Sequence, residues 1–169
     1  MEGVERNKVI LVSYNEEWKT EFNRVKFVLM QILDVKGEDI QHVGSTAIQS
    51  IVAKPILDIA IEVENFSSLN IDGMRELGYD YRHEAGVPGR QLFVLRGIEE
   101  RSIHHIHCFE RSGNGFQEQL FFRDYLINHP DMAQQYNEMK ITLALKYPND
   151  RSQYTVGKDE FIQYVLDQM

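Results

Sequence analysis

The spacing of apolar residues changes along this chain from a helical period to a strand period and back again. Through residues 15–35, apolar residues recur every three or four positions, which predicts an amphipathic helix whose core face holds Trp18, Phe22, Val25, Leu29, Ile32 and Leu33. An S-x-x-E pattern at Ser13 and Glu16 predicts a capping box at the start of this helix. The middle of the chain contains strand-like segments near 39–44, 56–63, 79–83, 90–96 and 102–109.

One helical period lies between these strands, and helical periods fill the last third of the chain. Further helices are predicted near 67–77, 116–128, 131–147 and 156–168. Gly78 suits the C′ position of the first of these, Pro130 suits the first turn of the third, and Pro148-Asn149-Asp150 breaks the chain before the last. A Gly-Val-Pro-Gly turn at 86–89 separates two strands. A central sheet with helices before and after it predicts an α+β fold, in one domain over residues 1–169.

Composition and charge limit the kinds of function that this chain can have. The chain has 169 residues, of which 43% are hydrophobic and 26% are charged, as in an ordinary soluble protein. A formal net charge of −8 argues against broad, nonspecific binding to nucleic acid. The single cysteine, Cys108, excludes an intramolecular disulfide and fits a reducing compartment. No apolar segment has the length of a signal peptide or a membrane span, so the sequence predicts a cytoplasmic protein without membrane contact.

One segment, His42–Val63 (HVGSTAIQSIVAKPILDIAIEV), joins two chemically distinct features. Gly44, Ser45 and Thr46 predict a tight turn whose amide and hydroxyl donors suit a phosphate group. Asp58 follows inside an apolar run, where an unpaired charge is costly. A phosphate-binding turn joined to a buried carboxylate indicates a metal–nucleotide site. The alternative is a structural acid that pairs with a neighbouring cation or a backbone amide.

Successive side chains of a strand point to opposite faces, and this alternation assigns the residues around the candidate acid to two faces. Asp58 shares one face with Ala60 and Glu62, whereas the core face carries Ile59, Ile61 and Val63. Glu62 is therefore either a further metal ligand or a solvated residue at the end of the strand.

The last predicted strand, Ser102–Phe109, contains three histidines in a span of four residues, 104–107. His105 and His107 point to one face and His104 points to the other. Two imidazoles at i and i+2 can bind a metal ion, transfer a proton or contact a phosphate. Asp58, His105 and His107 are thus the candidate catalytic and metal-binding residues. The alternative is a pair of histidines that make only structural hydrogen bonds.

Basic residues near these segments supply candidates for phosphate binding. Lys54 lies directly before the strand of the candidate acid and is expected near the Gly-Ser turn. Arg123, in the middle of a predicted helix, suits either bidentate contact with a phosphate or an internal ion pair that fixes two helices. Lys140 and Lys158 lie on later helices and are expected at the surface.

Three stretches in this order resemble the GrpB family of bacterial proteins, a predicted nucleotidyltransferase-fold group: HVGSTAIQSIVAKPILDIAIEV, HHIHCF and FFRDYLINHPDMAQQYNEMKITLALKY. The resemblance covers about Val12 to Phe161 and implies a mixed sheet flanked by helices. It makes Gly44-Ser45 the superfamily's Gly-Ser turn and Asp58 its first strand acid. It also implies a nucleoside triphosphate or another phosphorylated small molecule as the ligand. The implied cofactor is a divalent metal, Mg²⁺ or Mn²⁺, with Zn²⁺ as a third candidate.

The superfamily pattern is incomplete in this chain. Active nucleotidyltransferases carry acids at i and i+2 of this strand and a third on a neighbouring strand, and these hold two Mg²⁺ ions about 3.5–4 Å apart. Ala60 cannot bind a metal, and His105 and His107 occupy the strand on which the third acid is expected. A site made of Asp58 and two histidines favours Mn, Fe or Zn over Mg. Three functions therefore compete: a nucleotidyltransferase, a binding module for a phosphorylated ligand, and a metal-dependent hydrolase that uses Asp58, His105 and His107.

Overall fold

The structure, a computed structural model, describes residues 3–169. Its helices are α1 (Glu17–Leu33), α2 (Ile71–Glu76), α3 (Gly115–Asn128), α4 (Pro130–Lys146), α5 (Arg151–Val156) and α6 (Asp159–Leu166). Its strands are β1 (Ile40–Val43), β2 (Leu57–Val63), β3 (Tyr79–Tyr81), β4 (Arg90–Arg96) and β5 (Ser102–Glu110). The predicted α+β fold and the five predicted strands are confirmed, with shifts of a few residues at their ends.

The five strands form one mixed sheet in the order β1-β2-β5-β4-β3. β2 and β5 are parallel neighbours near the centre, and the other adjacent pairs are antiparallel. The register places Asp58 opposite His105 and Ala60 opposite His107. Since successive residues of a strand alternate between faces, these four side chains share one face of the sheet.

The two faces of the sheet carry different amounts of apolar surface. One face joins α1 and α2 in the main core, whose central members include Leu29, Ile59, Ile61, Met74, Phe93, Ile106 and Cys108. The other face has a smaller apolar cluster, in which Val43, Ala60 and Phe109 pack against Phe116 of α3. Asp58, His105 and His107 lie on this second face, so the fold leaves room there for a polar site.

A third apolar cluster fixes the C-terminal helices beside the end of β1. It joins the segment after β1 to α3 and α4 through Ile48, Ile51, Leu126, Ala133 and Tyr136. This packing holds the helical part of the chain next to the Gly-Ser turn.

Two local predictions are wrong. The capping box does not form: Glu16 at the N-cap has helical dihedral angles and no side-chain cap bond, and Asn15 Oδ1 instead accepts a hydrogen bond from the Glu17 amide at 2.9 Å. No helix is predicted over residues 151–156, yet α5 forms there. Asp150 supplies its cap by accepting a hydrogen bond from the Gln153 amide at 3.1 Å.

No helix within residues 3–169 combines the length and the apolar composition that a membrane span requires.

Candidate functional site

The turn after β1 passes directly against the carboxylate of Asp58. Gly44 has φ +68°, in the region that favours glycine, and it leads into a single 3₁₀ turn at Ser45–Ala47. A Cβ atom added to Gly44 would lie 2.7 Å from Asp58 Oδ2. Glycine is therefore required here both by the backbone conformation and by the close approach to the acid.

Asp58 is the centre of a three-residue cluster with the histidines of β5. Its Oδ1 atom lies 3.2 Å from His105 Nδ1 and 3.2 Å from His107 Nε2. The Asp58 side chain is 30% exposed, so the cluster is reached from solvent and is not sealed in the core. The parallel pairing of β2 with β5 produces this geometry, because it sets both imidazoles beside the acid on one face.

The protonation states of the cluster follow from its hydrogen bonds. A carboxylate only accepts, so each imidazole donates its N–H to Asp58. Burial raises the pKa of the Asp58 carboxyl, but the hydrogen bonds and charges of His105 and His107 outweigh burial and hold that pKa well below its usual value. Burial lowers the pKa of His105 despite its bond to Asp58. At neutral pH the cluster is therefore a carboxylate flanked by a neutral His105.

The donor set and spacing of the cluster fit one metal ion. The ligand atoms of Asp58, His105 and His107 all lie within 4.8 Å of one another. Ligand atoms at roughly 2.1 Å from one ion are separated by about 3.0–3.4 Å. The two nitrogen–oxygen distances of 3.2 Å agree with that spacing. One oxygen and two nitrogen ligands suit Mn, Fe or Zn better than Mg.

Three cations face the same cavity as this cluster. The cavity has a volume of about 220 Å³, and its lining includes Lys54, Arg151 and Lys158. Within the described residues, Asp58 is the single acid of that lining. The two lysine ammonium groups lie 5.2 Å (Lys54) and 4.9 Å (Lys158) from the centroid of the Tyr154 ring. The cavity thus brings three basic side chains together with the Asp58 carboxylate.

Crowding of these cations affects their protonation. Burial, and then the positive charges of Arg151 and Lys158, lower the pKa of Lys54 to about 7. Burial lowers the pKa of Lys158 as well. An anion bound between them would relieve the repulsion and favour their charged forms.

A third lysine, Lys140, contacts the Gly-Ser turn. Lys140 of α4 is only 2% exposed, and its ammonium donates to Ser45 Oγ at 3.1 Å and to the Val52 carbonyl. Burial lowers its pKa to about 7. The predicted surface position of Lys140 is therefore wrong, because two oxygen acceptors compensate for its burial.

The structure brings most of the expected site residues together. Gly44, Ser45, Thr46, Lys54, Asp58, His105 and His107 all line the cavity. Thr46 is buried, and its hydroxyl lies 2.9 Å from His42 Nε2, so this side chain fixes the turn. Lys158, expected at the surface, also belongs to the lining.

Two expected site residues lie elsewhere, and their placement corrects the sequence interpretation. Arg123 pairs with Asp124 at 2.7 Å and donates to the His42 carbonyl at 2.9 Å, which ties α3 to β1. It lines a separate groove of about 640 Å³ and not the Asp58 cavity. Glu62, four residues beyond Asp58, pairs with Arg111 at 3.2 Å and is outside the three-residue cluster.

Arg151 and Tyr154 line the cavity, but the sequence interpretation did not include them. Both lie on α5, and the available signal was the N-cap residue Asp150, which follows Pro148-Asn149. For Lys140 the signal was its spacing, since Ala133, Tyr136 and Lys140 form the buried stripe of α4.

The arrangement of the sheet, the turn and the helices belongs to a known fold class. A mixed sheet with a Gly-Ser turn before the strand of an acid, flanked by helices, is a nucleotidyltransferase-like fold. The Cid1 poly(U) polymerase bound to Mg 3′-dATP has a similar fold, with a TM-score of 0.51 and 11% identity over 87% of this chain and 49% of that one.

Within that class the chain belongs to the GrpB family: residues 8–168 match the family described as GrpB protein. The Glutamate-rich protein GrpB of Alkalihalophilus pseudofirmus is 37% identical over the full length of both chains. The UPF0157 protein YqkA of Bacillus subtilis is 36% identical over 94% of this chain, which spans 46% of that relative. The crystal structure of the conserved protein GrpB from Enterococcus faecalis has a TM-score of 0.83 and 29% identity, covering 94% of this chain and 96% of that one.

Proposed function

We propose that this protein is a nucleotidyltransferase that binds the phosphates of a nucleoside triphosphate between the Gly44 turn, Asp58 and α5. One observation carries the proposal: the Asp58–histidine cluster and the basic residues Lys54, Arg151 and Lys158 line one and the same cavity. Partly desolvated cations bind phosphate oxygens through charge-assisted hydrogen bonds, which are stronger than neutral ones. The nucleotidyltransferase-like fold is consistent with this ligand.

The size of the cavity limits which part of the ligand it holds. Pockets for whole small molecules usually measure about 300–1,000 Å³. The cavity here, at about 220 Å³, suits a phosphate chain, with the nucleoside extending through its open side. The positive side chains then contact the phosphates, while the carboxylate of Asp58 avoids them unless a cation lies between.

A divalent metal ion fits between the Asp58 carboxylate and the phosphates. Asp58, with His105 and His107, would hold it, and when bound it would supply positive charge against the reacting phosphate.

The residues of the cavity wall assist the departure of pyrophosphate. In nucleotidyl transfer an acceptor oxygen forms a bond to the α-phosphorus and the bond from that phosphorus to the bridging oxygen breaks. Pyrophosphate leaves with the bonding electrons, and the proton of the acceptor hydroxyl passes to solvent. Arg151 and Lys158 would stabilise the negative charge that grows on the leaving group, because fixed cations there need no reorganisation.

Binding without transfer is a second candidate function, and Ala60 favours it. Ala60 is fully buried and packs with Val43, Phe109 and Phe116. A second carboxylate is thus missing at the position where active members of the superfamily use one, and the apolar packing leaves no space for it. On this alternative the cavity would retain a phosphorylated ligand without reacting it.

Label transfer distinguishes the two candidates. The purified protein is incubated with Mn²⁺, the four ribonucleoside triphosphates labelled at the α-phosphate, and a bacterial small-molecule extract as a source of acceptors. The proposal predicts a new labelled product with stoichiometric pyrophosphate, both lost in Asp58→Asn and retained in Asp124→Asn, whose residue lies outside the cavity lining. Triphosphate binding without label transfer would support the binding module, and absence of triphosphate binding would refute both.

A further inference from the structure

Arg90 is the one cationic side chain that contacts the histidine cluster directly within the described residues. Its Nη1 atom lies 3.4 Å from His107 Nδ1, the ring nitrogen that faces away from Asp58. From this contact we infer that Arg90 is a positioning residue, which holds His107 in a metal-free, hydrogen-bonded form and must turn away before a metal ion can bind there. The inference rests on the metal site of the proposed function and adds to it a group that opposes metal binding.

The contact determines where His107 carries its proton. A guanidinium group only donates hydrogen bonds, so the Nδ1 atom facing Arg90 must be the bare, accepting nitrogen. The proton of a neutral imidazole is then on Nε2, which donates to Asp58 Oδ1 at 3.2 Å. Arg90 and Asp58 therefore select the same tautomer from opposite sides of the ring.

Metal binding requires the other tautomer. A metal ion takes the lone pair of the ring nitrogen that it binds, and the second nitrogen of a ligating histidine usually donates to a carboxylate or a carbonyl. For His107 to bind through Nε2, its proton must move to Nδ1 with no net gain or loss. That proton would point at the N–H groups of Arg90, and two donors facing each other repel.

The two histidines of the cluster are not equivalent in this respect. His105 donates to Asp58 through Nδ1, and no described residue forms a hydrogen bond to its Nε2 atom. Its proton can move to Nε2 without meeting a protein donor there, and the one hydrogen bond lost, to Asp58, is lost at both histidines when a metal ion binds. The unfavourable free energy that sets the two histidines apart in metal binding thus arises at His107, and it depends on the contact with Arg90.

Release of Arg90 would also loosen the turn between β3 and β4. The Nη2 atom of Arg90 donates to the carbonyls of Glu84 and Ala85, at 3.0 and 3.3 Å. Glu84 also accepts hydrogen bonds from the amides of Val87 and Gly89, each at 3.0 Å. A guanidinium that turns away from His107 pulls on these carbonyls, so metal binding is expected to speed amide exchange in this turn.

Zinc titration of the whole protein tests the inference. Zn²⁺ affinity is measured for wild type, Arg90→Met and Arg82→Met, the last being a matched control that removes an exposed arginine beside the same turn. The expected result is an affinity about tenfold higher for Arg90→Met, the size typical of changes in the groups behind a metal ligand, and no change for Arg82→Met.

Two further readouts separate positioning from a simple charge effect. Nitrogen-15 spectra of metal-free wild type should show the His107 proton on Nε2, and zinc should move it to Nδ1. Zinc should also speed exchange at Val87 and Gly89 in wild type but not in Arg90→Met. Equal, tight zinc binding by wild type and Arg90→Met, or zinc binding that leaves the turn unchanged, would overturn the inference alone. Absence of zinc binding in both would overturn it together with the proposed metal site.

Discussion

Gly44 and Asp58 are in such close contact that the turn has no room for a side chain. A Cβ atom on Gly44 would lie 2.7 Å from Asp58 Oδ2, and the backbone there has φ +68°. The acid therefore receives two hydrogen bonds from histidines on one side and the bare backbone of the turn on the other. This contact links the Gly-Ser turn to the Asp58–histidine cluster.

The substitution Gly44→Ala should lower the free energy of unfolding by more than backbone strain alone would. Gly86 is a control for a positive φ without the contact, because nothing lies within 4 Å of its added Cβ, whereas Gly44 combines φ +68° with ψ −172°, a region that glycine alone adopts readily. We expect Gly86→Ala to lower the free energy of unfolding by about 1–2 kcal/mol. Gly44→Ala should lose roughly 2 kcal/mol more, since displacing Asp58 leaves buried donors without an acceptor. Chemical denaturation of both variants checks this, and equal losses would contradict the described contact.

Removing one cation from the cavity should weaken phosphate binding. Lys158 and Lys146 each lie over a tyrosine ring, but Lys158 lines the cavity whereas Lys146 is exposed. Loss of a charge-assisted contact worth about 1.5–3 kcal/mol should lower pyrophosphate affinity by about 10- to 100-fold in Lys158→Met. Lys146→Met should bind like wild type. Calorimetry measures both, and an unchanged affinity in Lys158→Met would exclude the cavity as the phosphate site.

Pyrophosphate binding should be accompanied by proton uptake near pH 8. Burial first, and neighbouring cations second, lower the pKa of Lys54 to about 7, so this lysine is mostly neutral at pH 8 in the free protein. A bound polyanion favours the ammonium form and raises that pKa, which draws a proton from the buffer. The binding enthalpy should therefore vary with the ionisation enthalpy of the buffer. Lys54→Met should reduce the uptake, and a buffer-independent enthalpy in wild type would contradict the prediction.

His104, on the opposite face of the sheet, should make stability fall in mild acid. It is buried between Tyr79 and Glu21, and burial lowers its pKa from 6.5 to about 4. Between these values the unfolded chain binds a proton that the folded chain does not, so stability decreases as pH falls. The slope should approach about 1.4 kcal/mol per pH unit for this group. Unfolding measured from pH 7 to pH 4 should show a shallower slope in His104→Gln, and an equal slope would contradict the assignment.

Strand alternation was sufficient to predict which side chains of β2 and β5 share a face. Ile59 and Ile61 are core residues, as the pattern indicated, and Asp58 faces the imidazoles across the parallel pair. This succeeded because a strand has a strict period of two, and both segments lie in the interior of one sheet.

The residues that sequence reasoning misplaced depend on contacts between distant parts of the chain. Lys140 is buried because its acceptors, Ser45 and the Val52 carbonyl, come from a turn about ninety residues earlier, which no local pattern reveals. Arg123 binds the β1 backbone, so the groove it lines is separate from the Asp58 cavity. The short helix that carries Arg151 has only six residues, too few for a helical period to be detected.

We propose that one cavity holds a metal ion on Asp58 and phosphate on Lys54, Arg151 and Lys158. An anomalous difference map from crystals soaked with Mn²⁺ and pyrophosphate tests this arrangement. We expect a manganese peak within bonding distance of the Asp58 carboxylate and pyrophosphate density between that peak and the three cations. Manganese or pyrophosphate bound instead in the groove beside Arg123, with the Asp58 cavity empty in the same crystals, would contradict it.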